Sequence, residues 1–144
     1  FRRVLFRSEF FHCKFPRHIL NKEFDINVLE LLTIMIALKL WGKKFTGLRV
    51  RIFCDNQVSV CVLRSGRTRN DMLSACLREI AYLCAIYQME IKPIFISTND
   101  NRLSDLLSRA HVHNDNVAVF LQEIDVKCHE VNITPDLFEF SASW

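Results

Sequence analysis

Three carboxylates stand out by residue type and by neighbourhood. Glu30 opens a long apolar stretch within Asn27-Val28-Leu29-Glu30, Asp55 follows an alternating segment in Phe53-Cys54-Asp55-Asn56, and Asp105 lies within Leu103-Ser104-Asp105-Leu106-Leu107. Acidic side chains that converge at a strand end can hold Mg2+, which prefers hard oxygen ligands, and two such ions about 4 Å apart can clamp an in-line displacement at a phosphodiester. Each residue also has a plain structural role open to it. Glu30 can close a capping box with Asn27, Asp55 can cap the helix after it, and Asp105 can decorate a solvated helix face. Pattern alone leaves both readings of each standing. Two other groups carry the same double reading. Arg67 and Arg69 precede a helix start, where phosphate binds readily, or they belong to a solvated loop. His111, His113 and Asp115 are a metal site or a polar linker.

The elements that must position these residues follow from periodicity. Phe10, Phe11, Cys13 and Phe15 form a short strand ending at Pro16, and residues 17–25 are loop-like. A helix starts near Asn27 and runs to Trp41, with Glu30 in its first turn; it is apolar almost all round, so it should be buried on two sides. Gly42 to Gly47, with Lys43 and Lys44, make a turn. From Leu48 to Cys54 the residues alternate, with Leu48, Val50, Ile52 and Cys54 facing one way and Arg49, Arg51 and Phe53 the other, as a strand requires. Asp55-Asn56 starts a short helix over Val58 to Arg64, which Ser65-Gly66 stops. A long helix spans Asp71 to Gln88, with Met72, Cys76, Ile80, Leu83 and Tyr87 on its apolar face. Met89 to Ile96 is a second strand, and Pro93 favours an edge. Asn99-Asp100-Asn101 caps a helix from Arg102 to Arg109, where Asp105 lies opposite Leu103, Leu106, Leu107 and Ala110. A helix over Asn116 to Ile124 and an irregular tail complete the chain. Alternating strands and helices argue an α/β fold, in which Asp55 sits at the C-terminal end of a central strand, where open sheets place their sites.

Composition narrows the function classes. Apolar residues are 50% of the chain and charged residues 24%, a balance that supports a packed core and excludes a disordered chain. The glycines, Gly42, Gly47 and Gly66, allow no GxGxxG and no Walker loop. The cysteines form no CxxC pair, which favours buried thiols in a reducing, intracellular setting. No apolar run is long enough to span a bilayer, so no membrane partner is expected. Residues 1–8, Phe1-Arg2-Arg3-Val4-Leu5-Phe6-Arg7-Ser8, match the translation of a sequencing adaptor and are set aside from the fold as a non-native segment. Without their arginines the basic and acidic residues balance, and net charge carries no argument for nucleic acid.

Three segments in register carry a resemblance. Asn27-Val28-Leu29-Glu30-Leu31-Leu32, Phe53-Cys54-Asp55-Asn56-Gln57 and Asn101-Arg102-Leu103-Ser104-Asp105-Leu106-Leu107-Ser108-Arg109 together resemble the ribonuclease H domain of reverse-transcribing elements. With the run Ile26 to Trp41, the Leu63-Arg64-Ser65-Gly66-Arg67 turn and the tail Pro135-Asp136-Leu137-Phe138, the chain looks most similar to DIRS-type retrotransposons. There the domain follows the reverse transcriptase and precedes a tyrosine recombinase. The resemblance covers residues 10–144.

The resemblance implies a ribonuclease H-like fold: a mixed sheet with helices on both faces, lacking here its opening strand, over residues 9–110, followed by a C-terminal helix and linker tail over 111–144. It implies an RNA–DNA hybrid endonuclease with two Mg2+ ions, working beside a reverse transcriptase in cis. The family has four acidic ligands. The second to fourth match Glu30, Asp55 and Asp105; the first, an Asp followed by small residues, has no match before Glu9. Asn27 and Gln57 match positions that touch the minor groove of the hybrid. Where the family usually has a loop histidine, this sequence has Phe95, and Thr98 replaces the usual loop glycine. A non-catalytic ribonuclease H-like module packed on reverse transcriptase is therefore the alternative. An integrase core fits less well, because integrases carry their Glu on a late helix.

Overall fold

A computed structural model describes residues 2–6, 8–22, 24–101, 118–120, 122 and 128–143, with the backbone alone for 2–5 and 13. The chain is mixed α/β and divides into two compact units, Phe1–Glu23 with Ser97–Ile133 and Phe24–Ile96 with Thr134–Trp144.

The first unit holds a small sheet. Strand β1 (Arg2–Phe6) pairs antiparallel with β2 (Glu9–Cys13), and β5 (His129–Glu130) runs parallel to β2 on its other side. Adjacent residues of a strand point to opposite faces, and Phe10 and Phe11 are both buried, so β2 is covered on both. Phe10 meets Phe120 edge-to-face with ring centroids 5.2 Å apart. After β2 comes one turn of helix, α1 (Arg17–Leu20), in the stretch expected to be loop. Among the described residues, Arg2–Phe6 of the adaptor-like octapeptide therefore form an edge strand. Main-chain pairing at a sheet edge tolerates almost any apolar sequence, and Val4-Leu5-Phe6 suits it.

The second unit is built round helix α2 (Ile26–Trp41). Its expected start at Asn27 is corrected: the cap is Asp25, whose Oδ1 accepts from the Val28 N–H at 3.0 Å. Glu30 is thereby in the second turn, and no acidic residue lies in the first. Every residue from Leu31 to Leu38 is buried, as the all-round apolar sequence implies. Within this run the Thr33 hydroxyl donates to the Leu29 carbonyl at 2.7 Å, so its burial leaves no unmet donor. A 3-10 turn, Gly42–Phe45, follows. A Cβ on Gly42 would lie 2.5 Å from Cε2 of Tyr87, so only glycine lets that ring come so close.

Strands β3 (Arg49–Cys54) and β4 (Glu90–Phe95) pair in parallel, from Arg49 opposite Glu90 to Cys54 opposite Phe95. Pro93 thus lies in a strand with a neighbour on one side only, among the described residues. Helix α3 (Gln57–Ser65) packs on this pair and is stopped by Gly66, whose φ of 64° suits glycine. Helix α4 (Asp71–Ile86), capped by Asn70, packs against α2. The tail ends in a 3-10 turn, Pro135–Phe138, that buries Phe138 beside α2. The expected helix over Arg102–Arg109 and most of the one over Asn116–Ile124 lie outside the described residues.

Candidate metal centre

The structural roles that competed for Glu30 and Asp55 are taken by their neighbours. Asp25 caps α2, so Glu30 is no capping-box partner. Asn56, not Asp55, caps α3: its Oδ1 accepts from the Ser59 N–H at 2.8 Å. Asp and Asn serve equally well at an N-cap, so sequence could not choose between adjacent Asp55 and Asn56.

Asn56 does a second job. Its Nδ2 donates to Oδ1 of Asn27 at 2.9 Å, and the buried Ser59 hydroxyl donates to the Asn27 carbonyl at 3.4 Å. These bonds stitch the N-terminal turn of α2 to the turn between β3 and α3. The stitch fixes Glu30, one turn into α2, against Asp55, one residue past β3.

A third donor joins them. Cys54, the buried last residue of β3, has its Sγ in the same group: one ligand atom each from Glu30, Cys54 and Asp55 all lie within 4.8 Å of one another. The Asn56 N–H reaches this Sγ at 3.4 Å. Sequence reading placed Cys54 among the buried thiols. The signal that could have raised it is position: a thiol at the end of an alternating strand, directly before the carboxylate.

Two oxygens bound to one Mg2+ at about 2.1 Å lie roughly 3–4 Å apart. The Glu30 and Asp55 carboxylates fit such an ion after a small side-chain adjustment. Carboxylates this close repel when both are ionised, and a cation relieves that repulsion. The thiol is the donor that Mg2+ does not favour.

The other expected site residues fall elsewhere. Asp105, His111, His113 and Asp115 lie outside the described residues. Gln57 opens α3 and is exposed, next to the stitch, while Asn27 is half-buried within it. Arg67 and Arg69 are exposed in the loop before Asn70. Phe95 is 47% exposed and stands opposite Cys54 in the β3–β4 register. No described helix is long and apolar enough to cross a membrane. No protein-family model, curated protein or solved structure matches the chain.

Proposed function

We propose that this chain carries a ribonuclease H-like domain whose Glu30, Asp55 and Asp105 hold Mg2+ for hydrolysis of the RNA strand of an RNA–DNA hybrid, in a polyprotein with reverse transcriptase. The observation that carries the reading is the meeting of Glu30 and Asp55 after Asp25 and Asn56 have taken their capping roles. Mg2+ held there would supply Lewis acidity for a water nucleophile and for the leaving 3′-oxygen. The chain's own part is to bring the carboxylates together, hold them through the Asn27–Asn56–Ser59 stitch, and offer Asn27 and Gln57 towards the minor groove.

A second reading, a non-catalytic module packed on reverse transcriptase, is favoured by one feature. Phe95, opposite Cys54, puts an apolar ring where the resemblance implies a histidine. A phenyl ring moves no proton. The resemblance also implies a fourth carboxylate that this sequence does not match, so hybrid binding should outlast hybrid cleavage.

The deciding experiment measures hybrid binding and cleavage in Mg2+ for the wild type, Asp55→Asn and Phe95→His. The nuclease reading expects Mg2+-dependent cleavage, slow in the wild type, raised by Phe95→His and abolished by Asp55→Asn. Folded protein that binds hybrid with no Mg2+ dependence, and that neither variant alters, supports the non-catalytic module.

A further inference from the structure

The donor set at the end of β3 does not match a purely hard-cation site. Magnesium centres are built from oxygens, and a thiol in the ligand shell shifts preference toward softer ions. Among the described residues, Glu30, Cys54 and Asp55 are the one group of three His, Cys, Asp or Glu donors gathered this closely. They come from two elements, α2 and the end of β3, so the grouping is tertiary and not an accident of one turn.

We infer that Cys54 is a ligand of the same centre, which therefore takes a thiophilic divalent cation, Zn2+, in preference to Mg2+. The inference rests on the reading of Glu30 and Asp55 as metal ligands and adds the identity of the ion that competes there. Zinc binds sulfur at about 2.3 Å and carboxylate oxygen at about 2.0–2.2 Å, which sets tetrahedral donors roughly 3.5 Å apart. Donors now within 4.8 Å reach that spacing by modest side-chain rotation. On binding, the Cys54 S–H bond breaks, the Sγ–Zn bond forms, and the proton passes to buffer. Zn2+ held by one thiolate and two carboxylates keeps a fourth position for water, and it occupies the place where Mg2+ would act. The centre is thereby open to arrest by Zn2+.

The test uses the full chain, kept reduced, and Cd2+ as a spectroscopic stand-in for Zn2+. Cd2+ should give an ultraviolet thiolate-to-metal charge-transfer band that Cys54→Ser removes and Cys61→Ser, which deletes an exposed thiol elsewhere, leaves intact. Zn2+ titrated calorimetrically in buffers of different ionisation enthalpy should release a proton that Cys54→Ser abolishes. Zn2+ affinity should fall more than about 10-fold in that variant, while Mg2+ binding is unchanged. Should Cys54→Ser fail to fold, Glu30→Gln carries the test: the band must persist while Zn2+ affinity drops more than about 10-fold. A band that survives Cys54→Ser, or Zn2+ affinity indifferent to Glu30→Gln, overturns the inference. A Cys54-dependent Zn2+ site in a chain that binds no Mg2+ when Zn2+ is absent would instead sink the Mg2+ reading alone.

Discussion

Helix α2 carries two charged sites, one near each end, and they have opposite designs. Near its C-terminal end Lys39 meets Glu79 of α4 at 2.9 Å, and Glu79 is fully buried. Ser141 completes the cluster: its N–H reaches Oε2 at 2.9 Å and its hydroxyl reaches Oε1 at 2.6 Å. Lys39 also donates to the Glu139 carbonyl. A buried carboxylate surrounded in this way is neutralised and saturated, and it clamps the 134–143 tail onto the helices. Near the N-terminal end, Glu30 meets another carboxylate and a thiol, all only half-buried or at a strand end. The first site matches charge with countercharge; the second brings two carboxylates and a thiol within 4.8 Å of one another. One suits holding the fold together and the other suits holding a cation.

Removing one partner at each end of α2 separates the two sites most sharply. Lys39→Met leaves Glu79 buried without its cation and should cost about 3–5 kcal/mol. Asp55→Asn and Glu30→Gln keep side-chain shape at partly exposed positions and should cost no more than about 1 kcal/mol each. Urea unfolding of the three variants checks this. A large loss in Asp55→Asn would give that residue a structural role.

The N-caps give the next-largest effect. Asn56→Ala and Asn70→Ala each delete an N-cap, costing about 1 kcal/mol. Asn56→Ala also cuts the stitch to Asn27. It alone should weaken divalent-metal binding, which calorimetry reads directly. Equal metal affinity in both variants would mean that the stitch does not position Glu30.

A third prediction concerns pH at the clamp. Burial first, and then Glu79, push the Cys76 thiol up to about 12. The folded chain therefore keeps a proton that the unfolded chain has lost above pH 9, so the contribution is full below that point and stability falls as pH rises from 9 towards 12. Thermal melting should show a steeper alkaline loss in the wild type than in Cys76→Ala. The smallest effect is expected at the exposed Arg49–Glu90 pair, 2.8 Å apart on the strands, where Arg49→Ala should cost no more than about 1 kcal/mol.

The same contrast explains what could be read from sequence. Strand β3 and the burial of α2 follow from residue order, since alternation and all-round apolarity each admit one solution. Gly66 stops α3 as its position suggests. The choice of cap does not follow, because Asp25 and Asn27, like Asp55 and Asn56, are chemically equivalent candidates that only tertiary contacts separate. The Lys39–Glu79–Ser141 clamp joins residues far apart in the chain, and each alone looks like an ordinary surface polar residue. Strand β5 has only two residues and no periodicity to detect. Cys54 was legible as a strand residue, and its role as a donor needed α2 in place.

The proposed divalent-metal centre contains Glu30 and Asp55 and leaves out Glu79. Mn2+ titration followed by the electron paramagnetic resonance signal of the free ion tests it directly. One saturable site is expected, displaced by Mg2+, weakened more than about 10-fold by Asp55→Asn and by Glu30→Gln, and untouched by Glu79→Gln. Mn2+ bound equally well by folded Asp55→Asn and wild-type protein would contradict it.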